Sequence, residues 1–333
     1  MFRLLRSGGS ITALAEVAKA DAPAAAAPAA PADQTPVAAP VENKAAALAG
    51  TVPLDQAIAS VTPNGGGTPS GYDSFQAAIN AANGGANHSG EGDTVTLLKE
   101  SNENVTVSTR INVTAAEGVA YKGTMTVKQG VTITGIHFVL DDETPVSSNS
   151  SSLILDSAVE AAIIKNNIFD ISLTKSDGKN HSAIALQNGT TRTVIDSNTI
   201  TINQVGGLTW YGITIKGDAS VADRVQITNN KATLDGTVRK NGPTAVFLRA
   251  EGGQQAPAYG VTNLNVTGNT IEGASPDVAQ GLSIQGVNGL MLKNNTLKKL
   301  NSALVFNALL TERGCGRKVG PRGPDGGPHV RQG

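Results

Sequence analysis

The sequence predicts an all-β fold, a parallel β-helix in which each coil contributes three strands. A phrase of alternating apolar residues around an Asn turn recurs between about residues 131 and 307, in steps of 31, 31, 32, 39 and 26 residues. Periods of this size are typical of solenoid repeats. Val, Ile and Thr alternate with polar residues at period two in these segments, which indicates strands rather than helices. The connections between these strands are too short for crossover helices.

The turn of each repeat has a fixed position that is almost always Asn. An earlier copy has Ile136 there, and the later copies have Asn167, Asn198, Asn230, Asn269 and Asn295. In stacked coils these side chains would lie above one another, where an amide can donate to backbone carbonyls and bond to the next amide. We therefore predict a structural Asn ladder. The alternative is a set of ordinary, exposed turn residues.

A second column of apolar residues, two in each copy, keeps step with the Asn column. It consists of Leu153 and Leu155, Ile184 and Leu186, Ile213 and Ile215, Val246 and Leu248, Leu282 and Ile284, and Leu304 and Phe306. One coil buries about five such residues at roughly 1.5–3 kcal/mol each. Ordering the backbone costs about 1–2 kcal/mol per residue. A single coil is therefore unstable, and only stacking stabilises the fold.

Residues 1–20 are predicted to be an N-terminal docking peptide. Glycines and charged residues interrupt its apolar stretch, which argues against a secretory signal. The apolar residues of its second half have helical spacing, so we predict a short amphipathic helix that docks on a partner; the alternative is a disordered terminus. The candidate docking residues are Phe2, Leu4, Leu5, Ile11 and Leu14.

The remaining chain divides into three parts by composition. Residues 21–70 are predicted to be an extended arm or linker, because residues 21–50 alone hold 14 Ala and 5 Pro. Residues 71–310 are predicted to be the β-helix, opened by a capping helix on which Phe75, Ala78 and Ile79 share one face. Residues 311–333 form a Gly/Pro/Arg-rich tail that cannot build strands.

The Asn column, the strand Gly-Ile-Thr-Ile-Lys-Gly at 212–217 and the phrase Gly-Asp-Thr-Val-Thr-Leu-Leu at 92–98 are similar to those of one fold family. The sequence resembles the right-handed parallel β-helix proteins of the pectin-lyase-like kind over residues 71–310. The resemblance implies a right-handed coil. It does not specify an activity, because this fold hosts lyases, hydrolases, adhesins, virion decoration proteins and phage spikes.

Loops that follow the third strand of successive coils are predicted to lie along one side of the stack. Loops on a rigid scaffold are frequent binding sites, although simple tolerated insertion is the alternative. The candidate ligand surface consists of Lys175, Asp177, His181, Trp210, Tyr211, Arg239 and Lys240. Within it, Trp210 and Tyr211 are either a stacking platform for a glycan or a packing plug beneath their loop.

The sequence predicts no catalytic residue, no cofactor and no metal site. The polar column that ends the first strand has one carboxylate, whereas a lyase needs a calcium-binding cluster and a hydrolase needs a carboxylate pair. This column is Asp156, Gln187, Lys216, Arg249, Gln285 and Asn307. The net charge of −1 gives no case for nucleic acid, and no segment is long enough to span a membrane.

These features predict a non-enzymatic structural protein on a virion surface, such as a bacteriophage capsid decoration, head-fibre or short spike subunit. Its arm would bind a capsid or tail protein, and its body would stabilise the particle or attach to a cell-surface glycan. The alternatives are a secreted or cell-surface adhesin and a polysaccharide lyase or hydrolase. Small residues predicted to face outward on the first strand favour a homotrimer that covers them. They are Ser152, Ala183, Gly212, Ala245, Gly281 and Ala303.

Overall fold

The computed structural model of the 333-residue chain is a parallel β-helix with three strands per coil, as predicted. Besides the two-residue strands Phe2–Arg3 and Ala15–Glu16, the structure describes residues 51–85, 91–143, 151–173, 181–204, 209–217, 219–236, 238–239, 242–252 and 260–307. Residues 21–50 of the predicted arm lie outside the described residues, as does the predicted tail over 311–333.

Successive coils contribute one strand each to three long sheets, which we call sheets 1, 2 and 3 in the order in which the chain enters them. Sheet 1 has nine strands: Phe2–Arg3, Val105–Val107, Met125–Val127, Ser151–Leu155, His181–Leu186, Trp210–Gly217, Ala245–Gly252, Ala279–Gln285 and Ser302–Asn307. Sheet 3 has seven: Ala120–Tyr121, His137–Asp141, Ile168–Leu173, Thr199–Gln204, Lys231–Asp235, Thr270–Gly273 and Thr296–Lys298. Within each sheet the strands of consecutive coils pair in parallel.

Sheet 2 is the longest. Its twelve strands are Thr51–Val52, Ala59–Thr62, Ser70–Tyr72, Thr94–Leu97, Asn112–Ala115, Thr132–Thr134, Ile163–Lys165, Val194–Asp196, Gln226–Thr228, Asn265–Thr267, Met291–Lys293 and Ala15–Glu16. A three-stranded corner sheet of Ala222–Asp223, Val261–Thr262 and Val287–Asn288 lies between the strands of sheets 1 and 2 along the chain. A short hairpin pairs Val238–Arg239 with Gly242–Pro243.

The Asn ladder forms as predicted and holds consecutive coils together. The side-chain oxygen of Asn230 accepts from the backbone N–H and the amide of Asn198, at 2.9 and 3.0 Å. Its own amide donates to the carbonyl of Ile195 and to the side-chain oxygen of Asn269, both at 2.9 Å. The same pattern repeats along the column from Asn167 to the last rung, and every rung is at most 8% exposed.

The left-handed backbone of these turns falls on the residue before each ladder Asn, not on the ladder Asn itself. These preceding residues are Asn166, Ser197, Asn229, Gly268 and Asn294, with φ between 54° and 71°. Asn and Gly are the residues that adopt this conformation most readily. Each turn therefore depends on two adjacent residues. The first adopts the left-handed backbone, and the ladder Asn that follows it makes the side-chain hydrogen bonds.

The predicted apolar column of sheet 1 is correct except on the strand Ala245–Gly252. There Leu248 and Ala250 pair with the core residues of the neighbouring strands, whereas the sequence pattern indicated Val246 and Leu248. Val246 instead pairs with Tyr211. Because both choices keep the period of two, alternation alone cannot distinguish a register shifted by two residues.

The small residues predicted to face outward on sheet 1 are instead buried, except for the partly exposed Ala303. Ala183 is fully buried in it, and a Cβ added at Gly212 would meet the side chains of Phe247 and Ile200. Phe247 itself is fully buried in this column, and Ala245, which was predicted there, pairs with Trp210 instead. These residues are small because they make room for large core side chains. They give no support to a covering subunit.

The predicted capping helix forms over Phe75–Ala81 and closes the N-terminal end of the stack. Ser74 caps it, and the carboxylate of Glu103 accepts from the first two helical N–H groups at 3.1 and 3.2 Å. The side chain of Gln76 donates to the carbonyl of Thr106 and accepts from its N–H, at 3.1 and 2.7 Å. Gln76 thereby hydrogen-bonds to Val105–Val107, the edge strand of sheet 1, as a neighbouring strand would.

The folded body begins at residue 51, earlier than predicted. Three strands between residues 51 and 72 pair antiparallel with one another and with Thr94–Leu97, so they extend sheet 2 beyond the first coil. The predicted arm over residues 21–70 is therefore wrong in its last twenty residues. The Gly/Pro-rich stretch at 63–69 is the turn of a hairpin, and its composition hid two short strands.

An aromatic stack joins this cap to the coils beneath it. Phe75 meets the ring of Tyr121 edge-on at 5.4 Å, Tyr121 meets Phe138 at 5.6 Å, and Phe138 stacks flat on Phe169 at 4.7 Å. The Tyr121 hydroxyl donates to the carbonyl of Glu103 at 2.8 Å. Burial raises the pKa of Tyr121, so the hydroxyl keeps its proton and its hydrogen bond.

Candidate functional site

The predicted loops do connect sheet 3 to sheet 1, so they all arise at the same corner of the coil. Lys175, Asp177 and Lys240 lie outside the described residues. Arg239 lies in the small hairpin, but its side chain is outside the description as well. The structure therefore positions three of the seven predicted surface residues.

Trp210 and His181 are packing residues. They pair across adjacent strands of sheet 1, and their rings stack with 3.8 Å between centroids and 5° between planes. Trp210 is 2% exposed and His181 is 1% exposed. A buried ring has no free face for a sugar, so the position of Trp210 agrees with the packing-plug alternative and not with a stacking platform.

Tyr211 belongs to a polar cluster on sheet 1 that the sequence analysis did not identify. The Arg249 guanidinium donates to the Tyr211 hydroxyl and to the Glu251 carboxylate, and it lies 5.3 Å from the centre of the Tyr211 ring. Thr214 pairs with Arg249 on the neighbouring strand, and Lys216 pairs with Glu251. We call these five residues the Arg249 cluster.

Electrostatics keep the Arg249 cluster charged. Burial acts to lower the pKa of Arg249, but the interactions with Tyr211 and Glu251 outweigh it, so this pKa is raised. The side chains of Arg249 and Glu251 are 35% and 26% exposed, so both reach solvent. A solvent-accessible Arg–Glu pair beside a Tyr hydroxyl offers donors and acceptors that suit a hydroxyl-rich or anionic ligand.

The register of the strand Ala245–Gly252 is the reason that this cluster was missed. Glu251, not Arg249, pairs with Lys216 and Gln285 in the polar column. The column therefore contains two carboxylates, Asp156 and Glu251, where the sequence pattern indicated one. Three strand spacings separate them, roughly 14 Å at about 4.8 Å per spacing. That distance exceeds the separation of about 5–10 Å in glycosidase carboxylate pairs.

Two further carboxylates, each the last residue of a short strand, link neighbouring coils. Asp196 accepts from Thr228 at 2.5 Å and from Asn229 at 2.9 Å. Burial acts to raise the pKa of Asp196, but hydrogen bonds from these two residues and Ser197 outweigh it, and the pKa is lowered. Asp223 has the same arrangement with Thr262 and Asn263, and its pKa is likewise lowered. These contacts stabilise the stack.

His137 and Asp170 form a partly exposed pair on sheet 3, with 2.7 Å between Nε2 and Oδ2. His137 points outward, as its alternation with core residues predicted. In the part of the chain that the structure describes, no three His, Cys, Asp or Glu side chains gather where they could hold a metal ion. No helix within the described residues is long and apolar enough to cross a membrane.

The candidate functional surface is therefore the Arg249 cluster on sheet 1. Among the residues of the predicted ligand surface, Tyr211 belongs to this cluster. Comparison of the chain with models of protein families, with curated proteins and with solved structures finds no match.

Proposed function

We propose that this protein is a non-enzymatic structural subunit on the surface of a virus particle, such as a bacteriophage capsid decoration, head-fibre or short spike protein. Its N-terminal arm anchors it to a capsid or tail protein, and its β-helix projects outward. The similarity to pectin-lyase-like β-helix proteins, which include such subunits, agrees with this assignment.

The unbroken register of the stack is the observation that carries this proposal. In sheet 2 the strands from Thr94–Leu97 to Met291–Lys293 pair in parallel without interruption. Eight strands at about 4.8 Å spacing give a rod roughly 34 Å long. The buried Asn ladder fixes neighbouring coils to one another within it. A stiff body that follows a long Ala/Pro-rich segment suits a subunit that must hold a surface away from its anchor.

The outward surface proposed for attachment is the Arg249 cluster, and its ligand is a cell-surface glycan. Arg249 and Glu251 are aligned by the strand that carries them, so their donors and acceptors are positioned before a ligand arrives. The two residues contact each other through side chains on one strand. An exposed aromatic face is not required in this arrangement, because hydrogen bonds to sugar hydroxyls supply the affinity.

The location is tested with an antibody against residues 51–307 and gold labelling of particles from a culture that carries this gene. We expect label at regularly spaced sites on the particle. Label confined to the cell envelope would overturn the proposal in favour of the adhesin alternative, which also predicts a processed N-terminus.

The anchor is tested by adding purified protein to particles from which this gene has been deleted. Full-length protein should rebind, and a variant that lacks residues 1–50 should lose at least nine-tenths of the binding. A variant that lacks residues 311–333 is the matched control and should rebind normally. Equal rebinding by all three proteins would contradict anchoring through the arm.

A glycan lyase or hydrolase remains a second candidate because of the Arg249 cluster. This alternative predicts release of reducing or unsaturated ends from a polysaccharide panel. The activity should be lost in Arg249→Ala or Glu251→Gln and kept in the exposed control Glu100→Gln. Glycan binding without any release of ends would favour the structural role.

A further inference from the structure

The C-terminal end of the stack has no helix or hairpin of its own among the described residues. Its apolar side chains are less well covered than their counterparts within the stack. Leu282 is 1% exposed, whereas Leu304 in the same column is only partly buried. Phe306, on the last strand of sheet 1, is 42% exposed, whereas Ile284 beside it in the same column is 3% exposed. Such an edge invites pairing with another strand.

Two short strands from the beginning of the chain pair with this last coil. Phe2–Arg3 lies antiparallel to the last strand of sheet 1, with Arg3 opposite Val305. Ala15–Glu16 lies antiparallel to the last strand of sheet 2, with Glu16 opposite Met291. The second strand occupies a position where the sequence analysis predicted a helix. An extended segment supplies the unpaired N–H and C=O groups that a sheet edge needs, whereas a helix does not.

The spacing of these two pairs matches one full coil. From Phe2 to Glu16 the chain has 15 residues, and the positions opposite them, Met291 to Phe306, span 16 residues. The order is also reversed. The earlier segment, Phe2–Arg3, pairs with the later strand Ser302–Asn307, and Ala15–Glu16 pairs with the earlier strand Met291–Lys293. An antiparallel chain that follows the whole last coil must have both properties. Its sequence between the two strands supplies Leu4, Leu5, Ile11 and Leu14, which are apolar as the end of the stack is.

The segment between residues 17 and 50 is long enough to connect the two ends of one molecule. In sheet 2, eleven strand spacings separate Thr51–Val52 from Ala15–Glu16, or roughly 53 Å at about 4.8 Å each. The 34 residues from Val17 to Gly50 cover about 105 Å at the extended rise of ~3.1 Å per residue. A connection within one chain therefore needs about half of the available length.

From these observations we infer that residues 2–16 cap the last coil of their own chain in the isolated subunit. The two N-terminal strands thereby close the C-terminal end of the stack. This role goes beyond the proposed function and does not depend on it. On a particle, the same residues would leave the last coil and bind the capsid or tail protein instead.

A disulfide tests the pairing directly. Arg3→Cys and Val305→Cys are introduced together in a Cys315→Ser background, because directly opposite residues of an antiparallel pair lie within disulfide range. We expect most of the protein to form a cross-link within the monomer under mild oxidation, at the same yield over a hundredfold range of concentration. The matched control joins Arg3→Cys to Thr126→Cys, which lies in the same column seven strand spacings from Arg3, about 34 Å at ~4.8 Å per strand. It should give at least tenfold less cross-link.

Three outcomes of this experiment would overturn the inference. Cross-linking only between two chains, with a yield that rises with concentration, would assign the last coil to a second copy. Equal yields in the test and control variants would show a segment without a fixed position. Loss of the cross-link in a variant that lacks residues 311–333 would mean that the tail, and not residues 2–16, organises this end.

Amide exchange gives an independent measurement on protein without cysteine changes. Deletion of residues 1–20 should speed exchange in Met291–Lys293 and Ser302–Asn307 at least tenfold. Exchange in Val105–Val107, at the other end of sheet 1, should not change. Unchanged exchange in the last coil would contradict the inference, whether or not the protein binds a particle.

Discussion

The two ends of the β-helix differ in how their sheet edges and apolar side chains are covered. At the N-terminal end, a helix, a polar side chain that pairs with the edge of sheet 1, and three antiparallel strands cover the first coils. Phe75 and Tyr121 there are fully buried. At the C-terminal end, the core-facing Phe306 is 42% exposed, and among the described residues only two short strands from the N-terminus pair with the last coil.

This contrast teaches that a residue's contribution depends on its place in the stack and not only on its type. Leu282 and Leu304 share a column but not a degree of burial. Asn230 and Asn295 share the ladder, yet only Asn230 has an Asn on both sides. Because each coil touches only its neighbours, stability adds up coil by coil, and an end coil lacks half of its neighbours.

The largest expected difference between the ends concerns their aromatic residues. Phe75→Ala should lower the free energy of unfolding by about 3–5 kcal/mol, because it leaves a cavity beside Tyr121 under the capping helix. Phe306→Ala should change it by less than about 1 kcal/mol. Urea denaturation followed by circular dichroism measures both. Equal losses would show that the C-terminal end is packed as tightly as the N-terminal end.

The Asn ladder gives the next largest difference. Asn230→Ala should lower the free energy of unfolding by about 2–3 kcal/mol, because buried groups of Asn198, Ile195 and Asn269 lose their partner. The end rung Asn295 makes one fewer ladder contact and is 8% exposed. Asn295→Ala should therefore cost only about 1 kcal/mol. A larger loss at position 295 than at 230 would reverse the comparison.

The ladder and the three-strand coil could be predicted from sequence because they repeat. Each copy of the Asn turn restates the same physical requirement, so five copies identify a column that one copy could not. The helix Phe75–Ala81 could also be predicted, since Phe75, Ala78 and Ile79 have helical spacing and are buried as expected. Repetition and amphipathic spacing are local signals that need no knowledge of long-range contacts.

The parts that could not be predicted depend on register or on non-local pairing. A shift by two residues in Ala245–Gly252 preserves the alternation, and it moved Arg249 out of the polar column and Glu251 into it. Ala183 and Gly212 were assigned to the outside, although Ala183 belongs to the core and Gly212 adjoins the bulky Phe247. The pairing of Phe2–Arg3 and Ala15–Glu16 with the last coil has no signal in the local sequence.

A smaller difference in stability is expected between two carboxylates at the N-terminal end, the partly buried Glu103 and the exposed Glu100. Glu103→Gln should lower the free energy of unfolding by about 0.5–1 kcal/mol, because the carboxylate faces the positive end of the capping helix. Glu100→Gln is the matched control: Glu100 pairs with Lys122 at an exposed site, and its loss should have almost no effect. High salt should shrink the Glu103 difference. An equal loss in both variants would remove the special role of Glu103.

The smallest expected effect is acid sensitivity in the coils between the two ends. The pKa values of Asp196 and Asp223 are lowered by hydrogen bonds from the next coil. A lowered pKa means that these carboxylates stabilise the fold above the ordinary value of 3.8 and lose that contribution as the pH falls through their folded pKa. The difference in melting temperature between the natural protein and the Asp196→Asn, Asp223→Asn double variant should therefore be largest near neutral pH and vanish in strong acid. Because both residues lie far from the caps, the same pH profile should persist when residues 1–20 are deleted. A profile that changed with this deletion would place the acid-sensitive contacts at the C-terminal end instead.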